Sequence, residues 1–419
     1  MRFRVAADVP ATADVVIIGA GIVGCATAFF ATAAGLQTAV LEARPRPATL
    51  TTPASTGAFR LQFDNPEEIA LVREGVETFE SFAERTGLPG FDIGLRRNGY
   101  LFCAREESSL GRQARMVEIQ REAGVDGIEL LTGDEARGRF PYLSPDVLAA
   151  RFRQGDGFLD PVRLANGYAL AASGGEDVER ARGTETATFC FGARVSGFRL
   201  AGDRLLAVET AHGSIAAPHA VIATGPFLAR VAALAGVELD IRPTRRQKLV
   251  MPALPEIPPD APMTIDEETA AHWRPALDGA FGLMTDPTTP AEDPQWNVPT
   301  SADFAFRLLD PASPTSLARV TPFWADAWER GAPWFLQAGQ YEYTPDHRPL
   351  LGPTRIRGLH VNGGYSGHGI MASTGGSRLV VDLLTGRATG PAWGIGPTNP
   401  AANPFRPDRP MEPRELDIL

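Results

Sequence analysis

Apolar and polar positions along the chain fall into two regimes. Asp14 to Ile18 is a short β-branched run, apolar on successive positions as a buried parallel strand requires. A glycine turn follows from Gly19 to Gly24. Cys25 to Ala34 then reads as an Ala-rich, closely packed helix closed by Gly35, and Thr38 to Glu42 as a second apolar strand. Together they predict a β–turn–α–β unit. Thr49 to Gly57 reads as a Ser/Thr/Pro/Gly loop. Pro66 to Thr86 carries helical periodicity, with Ile69, Val72, Val76, Phe79 and Phe82 on one face. Glu106 to Ala123 and Val162 to Ala172 are further helices, the latter entered through Asp160-Pro161. Phe189 to Ala217 resembles a strand meander, and Ala220 to Ala223 is an apolar strand ending in Thr224-Gly225. Arg242 to Thr344 differs: it is Pro-rich, with short strand-like pieces such as Gln247 to Met251 and Gly282 to Thr285, and predicts a separate, mostly β lobe. Leu359 to Asn362 is a strand, Gly363 to Gly369 a second glycine-rich turn, and Ile370 to Thr385 a helix. Met1 to Ala13 reads as a loose leader, and the Pro- and Asn-rich tail after Gly386 as a surface wrap.

Composition narrows the function. The 419 residues are 44% hydrophobic and 21% charged, and the net charge is −10. That is a globular composition with core to spare, and its acidic balance argues against nucleic acid as a partner. Of 40 basic residues only Lys248 is a lysine, so lysine chemistry has one candidate. Three cysteines, Cys25, Cys103 and Cys190, are odd in number and far apart, which points to a reducing cytoplasm rather than a disulfide framework. The six histidines show no metal-ligand spacing and no CxxC exists, so no metal is expected. Val15 to Gly35 has the length of a membrane span and, after Arg2 and Arg4, the look of a signal peptide. Its glycines at 19, 21 and 24, and Asp8 and Asp14 before it, favour a buried strand–turn–helix, so no membrane span is expected.

Gly19-Ala20-Gly21-Ile22-Val23-Gly24 is a GxGxxG between strand and helix. The first glycine permits the turn, the second lets backbone approach a pyrophosphate, the third allows close helix packing, and the helix N-terminus faces phosphate charge. Glu42 ends the next strand, 18 residues after Gly24, where a carboxylate accepts from ribose hydroxyls and disfavours a 2′-phosphate. A dinucleotide follows, NAD or FAD. Two later segments favour FAD: Val221 to Pro226, a strand running into Thr-Gly, and the turn Gly363 to Gly369. The helix N-terminus after that turn suits negative charge developing on a flavin.

VVIIGAGIVGCATAFFAT with LEA, AVIATGPF, YEYTPDHRPLLGP and GLHVNGGYSGHGIM, spread from Val15 to Met371, resemble the amino-acid and secondary-amine oxidase family of FAD enzymes. That family contains D-amino acid, glycine and sarcosine oxidases. The resemblance implies an α/β fold: a Rossmann-like FAD lobe built from the separated segments 14–95, 161–240 and 339–390. A mostly β substrate lobe would come from 96–160 and 241–338, and an extended tail from 391–419. It implies that Gly19, Gly21, Ile22, Val23 and Gly24, then Glu42, Ala43 and Arg44, bind the dinucleotide. Ser55 and Thr56 would lie beside the pyrophosphate and flavin, Val195 at the adenine, and Ala223, Thr224 and Gly225 along the same groove. Gly364, Tyr365, Ser366, Gly367, His368, Gly369 and Ile370 would lie against the flavin ring.

The implied activity is oxidation of the C–N bond of an amino acid or secondary amine by hydride transfer to flavin N5. The product is an imine, and oxygen or another acceptor takes the electrons. The chain departs from the family pattern at four places. Gly339 stands where some relatives tether FAD through cysteine, and Thr51 to Phe59 contains no tethering histidine, so noncovalent FAD is expected. Met371 and Tyr341 stand where relatives place a cationic carboxylate anchor. Arg60, Arg274 and Arg348 are replacement candidates, Arg60 foremost; His368, Arg60, Tyr341 and Arg274 form the expected catalytic set. The missing anchors keep a second reading open, that of a flavoprotein assembly factor or a subunit of a larger dehydrogenase. A nicotinamide dehydrogenase is disfavoured by the second glycine turn.

Overall fold

The computed structural model describes residues 5–6, 8–174, 186–387 and 402–412. Val15–Ile18 forms the middle of a six-stranded sheet. Thr38–Glu42 and then Ala187–Phe191 lie on one side of it. His219–Ile222, Leu359–Gly363 and Leu350–Pro353 lie on the other. All pairs are parallel except the last, Leu350–Pro353 against Leu359–Gly363. The unbroken apolar run is explained by the two layers it separates. Val15 and Ile17 pack into a core shared with the helices Ile22–Ala33, Pro66–Glu80, Pro161–Ser173 and Gly369–Thr385, while Val16 and Ile18 face a second core under a three-stranded meander. A strand buried on both faces has no place for a polar residue.

The second sheet has eight strands, in the order Phe335–Tyr343, Arg242–Met251, Gly279–Met284, Ala271–Ala276, Met263–Asp266, Tyr100–Ala104, Ala149–Arg153, Ile128–Thr132. It is antiparallel except where Met263–Asp266 runs parallel to Tyr100–Ala104. Its outer face buries Trp273, Trp324 and Phe152 in separate cores. Its inner face carries Tyr100, Phe102, Arg151, Lys248 and Arg274 and roofs the end of the first sheet, because residues paired across neighbouring strands share a face. The chain returns from this sheet to the first at the end of the nine-residue strand Phe335–Tyr343, which spans position 339.

Several expectations need correction. The helix expected over 66–86 is two helices, Pro66–Glu80 and Phe82–Thr86, broken at Ser81, whose hydroxyl donates back to the carbonyl of Glu77 and competes with the backbone ladder. The loop 49–57 contains a short helix, Thr51–Ala54. Ala187–Phe191 belongs to the parallel sheet, and the meander is Val195–Ala201, Arg204–Thr210 and Gly213–Ala216. The leader is not loose throughout: the Ala6 and Ala13 amides donate to Phe189 and Ala216 carbonyls at 3.1 Å. Of the tail, 391–401 and 413–419 lie outside the described residues. The described part is anchored, with Phe405 fully buried and Arg409 paired to Asp346 at 2.8 Å. No helix among the described residues is long and apolar enough to cross a membrane.

Candidate active site

A long cleft runs along the carboxyl end of the parallel sheet and under the second sheet, the usual place for a ligand in such folds. The glycine turn forms its first wall. Gly19 has φ +102°, and a Cβ there would stand 2.5 Å from the Ala223 carbonyl oxygen; one on Gly24 would stand 1.9 Å from that of Gly19. These two glycines let strand, turn and helix touch. Gly21 is different: a Cβ there meets only Thr52 Oγ1, at 3.6 Å, so its open side faces the cleft. The Ile22 amide, at the start of the helix, donates to that same Thr52 oxygen at 3.2 Å.

Glu42 accepts from the Ala20 amide through Oε2 and from the Arg44 amide through Oε1, both at 2.8 Å. Burial pushes its carboxyl upward, and these backbone donors pull it back. Beside it the Arg44 guanidinium donates to the Trp296 carbonyl at 3.0 Å. The Trp296 indole stacks on Phe227 with centroids 4.2 Å apart, and Arg194 lies 4.7 Å over it. Further along, Asn362 donates to Thr27 Oγ1 at 2.9 Å and to Ser377 Oγ at 3.1 Å, and accepts from the Tyr365 hydroxyl at 2.5 Å. This knits the first helix, the Leu359–Gly363 strand and the last helix into the cleft floor.

Of the expected residues, the cleft brings together Gly19, Gly21, Ile22, Val23, Glu42, Ala43, Arg44, Ser55, Val195, Ala223, Thr224, Gly225, Tyr341, Tyr365, Gly367, Gly369 and Ile370. It does not bring in Gly24, Thr56, Gly364, Ser366 or His368, nor Arg60 or Arg274 of the expected catalytic set. Gly24 is turned onto Gly19, and Ser366 Oγ sits 3.3 Å from the Thr344 amide. His368 points to the other side of the last helix. Its Nε2 is 3.4 Å from an Arg60 nitrogen, its Nδ1 is 3.7 Å from Glu68 Oε1, and Phe63 meets its ring edge-on. Arg60 is 4% exposed, lies 4.3 Å over the Phe63 ring and donates to the Gln62 carbonyl. Arg274 is equally buried and donates to the Thr56 carbonyl at 2.7 Å. Arg348 is paired with Glu67 at 3.4 Å and lies outside the cleft lining. Sequence reasoning missed Thr52, Trp296 and Glu342. Trp296 lies in an irregular segment of the other lobe, 252 residues from its partner Arg44, and no local pattern marks it.

A family model described as FAD dependent oxidoreductase matches residues 14–383. The chain belongs to the FAD dependent oxidoreductase family. FAD-dependent oxidoreductase domain-containing protein 1 of Xenopus laevis is 26% identical, over 90% of this chain and 79% of its own length. Human mitochondrial sarcosine dehydrogenase is 28% identical over 90% of this chain, which spans 40% of that protein. The crystal structure of glycine oxidase from Geobacillus kaustophilus superposes with a TM-score of 0.79 at 24% identity, covering 96% of this chain and all of that one. As a member of this family the protein takes FAD, and the cleft fits it. The open side of Gly21 and the helix N-terminus suit a pyrophosphate. Glu42 keeps lone pairs for ribose hydroxyls, and the end of the cleft lined by Tyr341, Tyr365, Gly367, Gly369 and Ile370 suits the flavin ring.

Two outcomes follow. Glu42→Ala removes a charge-assisted acceptor and unpins the turn, so FAD affinity should fall about ten- to a hundredfold, for roughly 1.5–3 kcal/mol; titration of apoprotein with FAD measures it. Glu342 lines the cleft, and burial lifts its carboxyl to about 7. Between its unfolded value of 4.5 and that value the folded state holds the extra proton, so stability is lost as pH rises through this window. In FAD-free protein, Glu342→Gln should therefore be more stable than wild type at pH 8, by on the order of 2–4 kcal/mol, and show no such gain at pH 4. Thermal melts at both pH values test this.

Proposed function

We propose that this flavoprotein oxidises the C–N bond of a carboxylated amine, with Arg60 as the carboxylate anchor. The observation that carries the reading is Arg60 itself, a buried guanidinium next to the turn that meets the flavin-ring end of the cleft. Its polar neighbours are the Gln62 carbonyl, His368 and the Tyr100 hydroxyl. A buried cation without an anion is costly, and a substrate carboxylate offsets that cost. His368 is a positioning residue in this reading. With its Nδ1 proton toward Glu68, its Nε2 accepts from Arg60 and aims the guanidinium, a tautomer inferred from the surrounding groups. Tyr341 packs against Gly367, where a Cβ would stand 3.0 Å from its ring.

FAD, when bound, supplies the two-electron acceptor. The amine loses a hydride from the carbon and a proton from nitrogen, its C–N bond becomes an imine, and water hydrolyses that imine. Arg60 and Tyr341 fix which C–H faces the cofactor, which is catalysis by orientation. Oxygen or another acceptor takes the electrons onward. The names of relatives such as sarcosine dehydrogenase and glycine oxidase agree with an amine substrate. Noncovalent binding of FAD is supported by Gly339, where a tethering cysteine would have to push aside Thr51–Ala54, its Cβ 3.0 Å from Ala54 Cβ and 3.3 Å from Thr51 Cα. Three buried, unpaired thiols support a reducing compartment, the cytoplasm.

Denaturing the yellow holoenzyme should release all FAD to the supernatant; colour retained on the precipitate refutes the noncovalent reading. A panel of amines under anaerobic conditions should include carboxylated members that bleach the flavin, and a panel with none refutes the oxidation reading. Arg60→Met should raise KM for the carboxylated amine and cost about 2–5 kcal/mol in kcat/KM, while the decarboxylated counterpart is little affected.

A further inference from the structure

The inner face of the eight-stranded sheet holds more positive charge than one carboxylate requires. Lys248 is 3% exposed and donates to the carbonyls of Pro53 and Ser55 at 2.8 and 2.9 Å. Arg274, two strands away in the same sheet, donates to the Thr56 and Pro275 carbonyls, both at 2.7 Å, and lies between the Phe158 and Phe281 rings. Lys248 lies 4.4 Å from the centroid of that same Phe281 ring, so the two cations share one wall. Arg60 hydrogen-bonds the Tyr100 hydroxyl, which feels the charge of both arginines. None of the three forms an ion pair with a carboxylate among the described residues. The carboxylates whose fields reach this region are committed elsewhere. Asp160 caps the helix Pro161–Ser173 and lies 3.7 Å from Arg163. Asp156 holds Arg153, Gln62 and the Leu61 amide. The electrostatic cost is visible in the groups themselves: burial, then mutual repulsion, brings Lys248 down to about 7, and burial brings Arg274 down to about 9.

Carbonyl oxygens and ring faces stabilise a buried cation only in part, and the remaining field favours an anion. A single carboxylate on Arg60 leaves Lys248 and Arg274 uncompensated. We infer that the substrate amine carries two carboxylates, one held by Arg60 and the second by the Lys248–Arg274 pair beside the Ser55–Thr56 loop. This rests on the amine-oxidation reading above and narrows its substrate class. Amines with one acid group and an apolar body lose affinity because the second cation pair stays unmatched, which is how such a site discriminates.

The test uses two thioethers that lack the amine and so report binding alone: thiodiacetate, with two carboxylates, and (methylthio)acetate, with one. Each is titrated into the FAD holoenzyme, and the change in flavin absorbance gives Kd. Thiodiacetate should bind at least about tenfold more tightly. In Arg274→Gln the ratio of the two Kd values should fall toward one. Should that variant lose its FAD, Lys248→Met and the wild-type ratio decide. Equal affinities in wild type, or no response to thiodiacetate, overturn the inference and leave Lys248 and Arg274 as clamps of the loop. An unchanged ratio in both variants overturns the assignment to that pair. Failure of the underlying reading looks different, because then no amine bleaches the flavin, whatever the ratio of the thioether affinities.

Discussion

The carboxylate of Glu42 joins two pieces of chain that the cleft cannot do without. One oxygen takes the Ala20 amide inside the glycine turn and the other the Arg44 amide just past the second strand. Hydrogen bonds to a charged, largely buried acceptor are stronger than neutral ones, and here they hold the turn at the strand end. The turn can come that close only because Gly19 has no Cβ to meet the Ala223 carbonyl. First strand, first helix, second strand and the Ala223–Gly225 corner are thereby held in register, and the open edge of that arrangement is one wall of the cofactor cleft.

The other wall follows from how the second sheet is used. Its outer face is covered by helices and aromatic side chains, so that face is apolar. Its inner face roofs the end of the first sheet and carries charged side chains on the same strands. Alternation along Arg242–Met251 and Ala271–Ala276 sorts Leu249, Met251 and Trp273 outward, and Lys248 and Arg274 inward. A chain of net charge −10 therefore carries a buried, locally positive cluster on that face.

The two lobes are joined by more than their connections. Gln340 holds the Gln295 amide and the Asp293 carbonyl, and Arg44 holds the Trp296 carbonyl, so an irregular segment from the substrate lobe is drawn across the dinucleotide end of the cleft. The Phe227–Trp296 stack fills the space between. That segment is thus tied to the cleft rim through several groups at once.

Much of the fold was legible in the chain, because the signals were local. A β-branched run, a GxGxxG and an acid at the next strand end are read from neighbours in sequence, and the structure places Gly19, Gly21 and Glu42 around one cleft. The break at Ser81 and the short helix at Thr51–Ala54 were missed because each is a local competition among nearly equal hydrogen bonds. The orientation of His368 was not legible at all. Its glycine turn marks the loop, but which side of the last helix receives the ring is decided by Glu68, Phe63 and Arg60, which come from elsewhere in the chain. The same is true of Trp296 and of the buried cations Arg60, Lys248 and Arg274. Sequence by itself determined the dinucleotide cleft, because backbone geometry and strand burial demand particular residues at fixed spacing. Only the tertiary structure decided which buried charges face one another, because long-range electrostatics and desolvation depend on distances between segments that no local pattern encodes.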